Sequence, residues 1–484
     1  MLLSDLLEKD EARVTGALNV DITALSMDSR KVVPGALFAA LQGVKYDGTA
    51  FVNEALTCGA SAILSGKPAP AGHLASIPWI EAQEPRQLLA KISARFHGRQ
   101  PKTIVGITGT SGKTSVANFL RQIYTFCGYS AASLGTLGVV TQQGQSYGSL
   151  TTPDPIAMHW LLAQLAQGNI THVALEASSH GLDQYRLDGV NFTAGAFTNL
   201  TRDHLDYHPT MDDYLRAKLR LVNELLPPGA PFVVSADSPY AEDFINAARQ
   251  RKLKLLTVGA GGEDLHLISH DRLPQGQRLS LGGPWGRAEV MLPLIGDFQA
   301  ANVLVAAGLA IATGCEHAKV FAALEQMSGV KGRMEKVGEY HGAGIYVDYA
   351  HKPDALAKLL DSMRPYTQGK LVVVFGCGGD RDPGKRPLMG TIASEKADIV
   401  IVTDDNPRTE NAAQIRSSIL EAAPKAIEIP DRAQAIKEAV ARIAEGDILV
   451  VAGKGHETGQ IIGTDMLPFS DHDVISAALG SAAA

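Results

Sequence analysis

Apolar residues in this chain gather into short continuous runs instead of alternating with polar ones. TIVGIT (Thr103–Thr108), HVALEA (His172–Ala177), AGAFTNL (Ala194–Leu200) and PFVVSA (Pro231–Ala236) are strand-length and are separated by helix-length segments. Strands apolar on both sides are buried on both faces, so the pattern predicts a parallel sheet covered by helices. The same logic returns in GIYVDYA (Gly344–Ala350), LVVVFGCGG (Leu371–Gly379), IVIVTDD (Ile399–Asp405) and DILVVAGKG (Asp447–Gly455). The runs give way to Gly, Asp or His, and in open α/β sheets the ligand crevice lies at those carboxyl ends. The first 84 residues differ: short strands and turns, such as GALFAAL (Gly35–Leu41) before a polar loop at Asp47-Gly48. The expected fold class is α/β in three domains: a small mixed N-terminal domain (1–84), a central parallel sheet (85–330) and a third α/β block (331–484). The Ala/Ser-rich C-terminus is expected to fray.

At 484 residues the chain exceeds one ordinary core. With 20% charged and 45% hydrophobic residues it is folded globular protein, not a disordered segment. A net charge of −7 without any Lys/Arg block argues against a nucleic-acid partner. Cys58, Cys127, Cys315 and Cys377 lie far apart with no CxxC pair, which disfavours a disulfide framework or structural zinc and fits reduced thiols. The N-terminal MLLSDLLEKDEAR carries acid where a signal peptide carries base, and no apolar stretch approaches the roughly 20 residues that span a bilayer. The expectation is a cytoplasmic protein without membrane insertion.

The strongest local motif is GTSGKT (Gly109–Thr114), between the strand Thr103–Thr108 and the helical segment SVANFLRQIYTF. Small residues let backbone amides converge on phosphate oxygens at a helix N-terminus. Lys113 would supply charge to the β/γ-phosphates and Thr114 a hydroxyl to Mg²⁺. The spacing departs from the standard phosphate loop, because Ile107 stands where its first Gly should be and Gly106 lies one place earlier. A plain glycine-rich turn is the alternative. Glu176, ending its strand, is a candidate metal carboxylate, against a solvated strand-end acid. His204 in TRDHLDYH is a candidate ligand, although a lone His there is more often structural.

Read together, GTSGKT, EASSHGLDQYR (Glu176–Arg186), NLTRDHLDYHPTMDDYLRAK (Asn199–Lys218), GDFQAANVLVA (Gly296–Ala306), GRME (Gly332–Glu335), DYAHKPDAL (Asp348–Leu356), GCGGDRDPGKRP (Gly376–Pro387), DDNPR (Asp404–Arg408) and GKGHE (Gly453–Glu457) resemble the Mur ligases across essentially the whole chain. These are ATP-dependent amide-forming ligases of peptidoglycan precursor assembly. The resemblance implies a UDP-substrate domain, a P-loop ATPase-like central domain and a Rossmann-like C-terminal domain for the amino acid. It implies UDP-substrate contacts at Ser29, Val44, Lys45, Thr151, Thr152, Ser178, Gln184 and Arg186. ATP would be held by Gly109, Thr110, Ser111, Gly112, Lys113 and Thr114, with Asn302, Asp348 and His351 at adenine and ribose and Arg333 at phosphate. Glu176 and His204 gain as Mg²⁺ ligands, and Lys218 matches a lysine that the family carries as a CO₂-derived carbamate. From local pattern alone, Lys218 in YLRAKLRL reads as an exposed helix lysine.

The resemblance also implies that Arg381, Asp405, Asn406, Pro407, Arg408, Gly453 and Glu457 bind the incoming amino acid. Asp405 and Asn406 can engage an ammonium, and Arg408 can grip a carboxylate through two parallel bonds. As a turn, NPR needs no function. An arginine placed for the second carboxylate of diaminopimelate would be left unpaired by lysine, and a missing polar partner discriminates strongly. The implied reaction adds meso-2,6-diaminopimelate to UDP-N-acetylmuramoyl-L-alanyl-D-glutamate, and a monomer is the expectation for the oligomeric state. The substrate carboxylate attacks the γ-phosphate of ATP, and the amine then displaces phosphate from the acyl phosphate. Domain closure is expected to complete the site. A folylpolyglutamate synthase, a lysine-adding relative, a P-loop kinase or switch, and a non-catalytic nucleotide-binding regulator are the alternatives.

Overall fold

A computed structural model describes residues 1–43, 46–72, 76–146, 150–205, 207–273 and 276–482. The chain divides into two compact units, the first Met1–Leu267 with Gly282–Gly286 and Asn302–Ala323, the second Ile268–Leu281, Arg287–Ala301 and Leu324–Ala484.

The first unit opens with a sheet ordered Arg13–Thr15, Trp79–Glu81, Ala62–Ser65, Ala36–Ala40, Ala24–Ser26. Its strands are parallel except the first, which runs antiparallel to Trp79–Glu81. The helix Pro85–His97 covers it with Leu88, Leu89 and Ile92. The central sheet then runs Lys254–Gly259, Pro231–Ser235, Ala194–Phe197, Thr103–Thr108, His172–Glu176, Ala131–Gly135, all parallel. Two antiparallel strands, Gly138–Thr141 and Gly144–Ser146, extend that last edge. Each strand named from sequence is present; Thr103–Thr108 matches its run, and the others end one to four residues earlier, where the chain turns into a loop.

Register aligns the chemistry. Glu176 pairs with Ile107 and Phe197 with Thr108, so the phosphate loop, Glu176 and the Thr198-Asn199 segment leave three adjacent strands at one end. Helix Lys113–Phe126 starts on the loop and buries Val116, Phe119, Leu120 and Ile123.

The second unit has a sheet ordered Glu335–Tyr340, Ala343–Asp348, Ile448–Ala452, Leu371–Phe375, Ile399–Val402, Ile427–Glu428, parallel after its first strand. Alternate residues of one strand enter different cores: Leu371, Val373 and Phe375 face one, Val372 and Val374 the other. Burial on both faces explains the continuous apolar runs, at roughly 1.5–3 kcal/mol per buried Val, Leu or Phe.

Of the C-terminus expected to fray, residues 483–484 lie outside the described residues, and the described part is ordered. Asp471–Ala482 is a helix, pinned by a buried bidentate pair of Asp471 with Arg432 and by buried Ile475 and Ala478. Among the described residues no helix is long and apolar enough to cross a membrane.

Candidate active site

The phosphate loop is shaped by glycines that have no room for a side chain. Gly112 caps the helix at φ +86°, and a Cβ there would lie 2.3 Å from Asn302 Oδ1. At Gly109 a Cβ would lie 2.0 Å from Thr198 Oγ1. The loop is fastened from the neighbouring strand end: the Thr110 amide donates to the Asn199 carbonyl at 2.8 Å, the Ser111 amide to Asn199 Oδ1 at 3.0 Å, and Thr198 Oγ1 to the Ser111 carbonyl at 2.7 Å. Lys113 Nζ folds back onto the Gly109 and Thr110 carbonyls at 2.8 and 2.9 Å.

Glu176 is 2% exposed. Its carboxylate accepts from Thr114 Oγ1 at 3.0 Å, the Thr136 amide at 2.8 Å and Thr136 Oγ1 at 3.3 Å. No ammonium or guanidinium pairs with it among the described residues. A buried carboxylate with only neutral partners is poised for a cation. Thr114 beside it adds a second hard oxygen donor of the kind Mg²⁺ prefers.

Lys218 is not the exposed helix lysine that its local pattern suggests. It is 1% exposed, donates to the Gly109 carbonyl at 2.7 Å and lies 4.4 Å over the Tyr214 ring. Burial, with the nearby Lys113 charge, pulls its pKa well below the ordinary lysine value. His204 sits at φ +53°, 3.5 Å from Asp203, with its ring 6.1 Å from that of Tyr214. Tyr214 therefore contacts both candidate ligands, and its hydroxyl lies 3.1 Å from Thr110 Oγ1. Among the described residues, no three His, Cys, Asp or Glu side chains form a metal-holding group.

The UDP-substrate candidates divide. Thr152, Ser178, Gln184 and Arg186 come together: Thr152 Oγ1 lies 2.9 Å from Ser178 Oγ, and Arg186 donates to the Thr152 carbonyl at 2.7 Å and to Gln184 Oε1 at 2.6 Å. Gln184 and Arg186 line a cavity with Met27, Leu41, Arg86 and Asp154. Thr151 Oγ1 meets Thr136 Oγ1 at 3.1 Å, and Ser29 is tied to Glu54 at 2.7 Å. Val44 and Lys45 lie outside the described residues.

In the second unit, Asp348 accepts from the Met334 and Ala350 amides, each at 2.7 Å. Burial raises its pKa while Arg333 pulls the other way. The Arg333 guanidinium rests 4.7 Å over the Tyr349 ring, and His351 Nδ1 lies 2.8 Å from the Tyr349 carbonyl, its pKa lowered by burial.

The DDNPR turn sits across the ends of strands Ile399–Val402 and Ile448–Ala452. Asp404 pairs with Arg416, a structural contact. Arg408 is at φ +53°, held by its amide on the Ile461 carbonyl (3.1 Å) and its carbonyl on the Gly463 amide (2.7 Å). Its Nη1 donates to the Gly379 carbonyl at 2.8 Å. The close approach of Pro407 requires glycine at 379, where a Cβ would lie 1.9 Å from the Pro407 carbonyl. A Cβ on Gly453 (φ +117°) would lie 2.6 Å from Asp405 Oδ2. Asn406, expected to face an ammonium, has its amide engaged internally by Lys454, Ile461 and Glu457. Arg381 is exposed and donates to the Asp380 carbonyl at 3.3 Å.

Sequence reasoning overlooked Thr136, Thr198, Tyr214, Arg86 and Lys454. Only Lys454 carried a visible signal, as a lysine inside a glycine-flanked strand end.

A glycine-shaped phosphate loop beside a buried carboxylate at parallel strand ends defines a nucleotide-binding α/β enzyme. Three family models match in order: the Mur ligase family catalytic domain over 21–97, the Mur ligase middle domain over 107–310 and the Mur ligase glutamate ligase domain over 332–455. The chain belongs to the Mur ligase family. It is 53% identical over 485 residues to the UDP-N-acetylmuramoyl-L-alanyl-D-glutamate–2,6-diaminopimelate ligase of Bradyrhizobium diazoefficiens, covering 99% of each chain. The Mesorhizobium japonicum protein of the same name is 54% identical, with 100% of each chain covered. A solved structure of a ligase with that name matches at TM-score 0.75 and 31% identity, over 100% of this chain and 99% of the other. The MurF ligase of Thermotoga maritima in complex with ADP shares the fold, with TM-score 0.61 at 17% identity over 96% and 97%.

Proposed function

We propose that this chain is an ATP-dependent ligase that adds meso-2,6-diaminopimelate to UDP-N-acetylmuramoyl-L-alanyl-D-glutamate, in cytoplasmic peptidoglycan precursor synthesis. The observation that carries the amino-acid choice is the juxtaposition of Arg408, fixed on a left-handed turn, with buried Asp405 and the Glu457 carboxylate tied to Asn406. It offers a guanidinium for one carboxylate and carboxylates for one ammonium, as the end of a dicarboxylic diamino acid requires.

The reaction begins with attack of the D-glutamate side-chain carboxylate on the γ-phosphorus of ATP, releasing ADP and leaving an acyl phosphate. The amine then attacks the acyl carbon, phosphate departs with the bonding pair, and the amine loses its proton. No covalent enzyme intermediate is required, so the protein's work is positioning and electrostatics. The amides of Gly109–Thr114 and Lys113 receive the phosphates, a reading supported by the crowding that fixes Gly109 and Gly112. Asn302 abuts the loop, in keeping with a nucleotide contact. Asp348, His351 and Arg333 are assigned to the same nucleotide, and Arg381, Pro407 and Gly453 to the amino acid. Thr152, Ser178, Gln184 and Arg186 take the UDP-substrate, and Ser29, Val44, Lys45 and Thr151 are assigned to the same substrate.

Mg²⁺ fits Thr114 and Glu176 by donor chemistry, with His204 and a carbamate on Lys218 as further ligands. When bound it would offset charge on the transferring phosphoryl group. A carbamate turns a buried cation into an anion, and the burial of Lys218 beside Lys113 supports that assignment. The division 1–84, 85–330 and 331–484 and a monomeric state complete the proposal.

The test is chemical trapping. With ATP, UDP-substrate and hydroxylamine but no amino acid, a UDP-linked hydroxamate should appear by mass spectrometry. ATP hydrolysis without hydroxamate would contradict an acyl phosphate.

A further inference from the structure

Lys454 follows directly on Gly453, where strand Ile448–Ala452 ends, and its side chain is 0% exposed. A lysine buried there needs acceptors around its Nζ. Nζ donates to Asn406 Oδ1 at 2.9 Å and to Glu457 Oε2 at 3.2 Å, and lies 3.9 Å from Asp405 Oδ1. Asn406 closes the ring: its Nδ2 donates to the same Glu457 oxygen at 3.0 Å, while its Oδ1 also accepts from the Ile461 amide at 2.9 Å. Among the described residues, every bond from the Glu457 carboxylate runs through Oε2. Oε1 carries no bond among the described residues, on a side chain 32% exposed.

Behind this ring lies the Arg432–Asp471 pair, both side chains fully buried, with Arg432 also donating to the Ala452 carbonyl at 3.1 Å. The cluster therefore sets two cations, Lys454 and Arg432, against three carboxylates, Asp405, Glu457 and Asp471. Without counting Arg408, which is assigned to the substrate carboxylate, the cluster carries one more carboxylate than cation, the complement of a single ammonium.

We propose that Lys454 is a positioning residue for amino-acid selection: it holds Glu457 and Asn406 so that the ring accepts the ammonium at the non-reacting end of the diamino acid. The inference rests on the ligase reading above. An amine bound as ammonium against carboxylates has no lone pair for attack, so the end held here is the one that does not react. The positional effect outweighs loss of the positive charge, because Glu457 is partly exposed and, among the described residues, Lys454 and Asn406 alone hold its carboxylate.

Three amines separate the roles in full-chain enzyme. Diaminopimelate carries both far-end groups, 2-aminopimelate lacks the far ammonium, and lysine lacks the far carboxylate. In Lys454→Gln, which keeps a hydrogen-bond donor but removes the charge, the preference for diaminopimelate over 2-aminopimelate should fall at least about tenfold, equivalent to about 1.4 kcal/mol. The preference over lysine, set by Arg408, should stay within about threefold of wild type, and the KM values for ATP and UDP-substrate should not move. Lys454→Met should behave alike. An unchanged or increased ammonium preference in the Gln variant overturns the proposal, the increase meaning that charge outweighs position. Failure of both variants to fold also overturns it, making Lys454 a fold-stabilising pair. Wild-type enzyme that ignores diaminopimelate would instead refute the ligase reading.

Discussion

Replacing Lys218 with methionine should abolish activity while leaving the protein as stable as before or more so. Two lysines converge on one acceptor, with Lys218 Nζ 2.7 Å and Lys113 Nζ 2.8 Å from the Gly109 carbonyl oxygen. That geometry caps their separation at about 5–6 Å, where two unit charges at an effective dielectric of about 20 repel by about 3 kcal/mol. Burying an ammonium adds a desolvation penalty of several kcal/mol. Against this, methionine loses one hydrogen bond, about 0.5–1.5 kcal/mol net, and a contact with the Tyr214 ring of about 0.5–1 kcal/mol. The Gly109 carbonyl is not orphaned, because Lys113 still donates to it. Because burial and Lys113 lower the Lys218 pKa, loss of its proton relieves part of both penalties; the remaining balance favours the variant by about 1–3 kcal/mol, in line with other replacements of buried charge by apolar side chains. Activity should drop at least about 100-fold, as for loss of an electrostatic group at a transferring centre. Scanning fluorimetry and amine-dependent phosphate release on the same preparation read both quantities. A clear fall in Tm, or activity within about tenfold of wild type, would refute the idea that this lysine is kept at the expense of stability for chemistry.

Arg408→Lys should reduce the preference for diaminopimelate over lysine by roughly 10–100-fold, from a charge-assisted bond worth about 1.5–3 kcal/mol; the ratio of kcat/KM values for the two amines checks it. Gly112→Ala puts a Cβ 2.3 Å from Asn302 Oδ1 on a backbone at φ +86°. A left-handed penalty of about 1–2 kcal/mol corresponds to an ATP KM about 5–30-fold higher, measurable in steady state. Glu11 is gripped by Arg95 at 2.6 and 2.9 Å, which holds its pKa down at about 2 against an ordinary 4.5. A depressed carboxylate stabilises the fold above its unfolded value and loses that stability as pH falls through its folded value. Glu11→Gln should therefore be less stable than wild type near neutrality by about 1.5–3 kcal/mol. The gap should close between pH 4.5 and about 2 in denaturation curves taken across that range.

The sheets were readable because burial on both faces writes strands as unbroken apolar runs, as in Leu371–Phe375 with its residues shared between two cores. Glu176 was readable because register fixes a strand-end acid beside the loop. Lys218 was not: helix spacing gives no hint that the side chain turns inward beneath Tyr214 onto a carbonyl 109 residues away. Asn406 was named for an ammonium, but its bond to Lys454 was hidden for the same reason, since that contact spans 48 residues and forms across the ends of two strands that are not neighbours in the sheet. The helix Asp471–Ala482 was not readable from its alanines and serines because the Arg432–Asp471 pair that anchors it is tertiary.

The most direct measurement is ATP-dependent phosphate release with UDP-N-acetylmuramoyl-L-alanyl-D-glutamate, comparing meso-diaminopimelate, L-lysine and no amine, with product mass read from the same tube. Strong release with diaminopimelate alone, with a UDP-linked tripeptide as product, is the predicted result. Equal rates with lysine would remove the role given to Arg408, and release indifferent to any amine would contradict a ligase altogether.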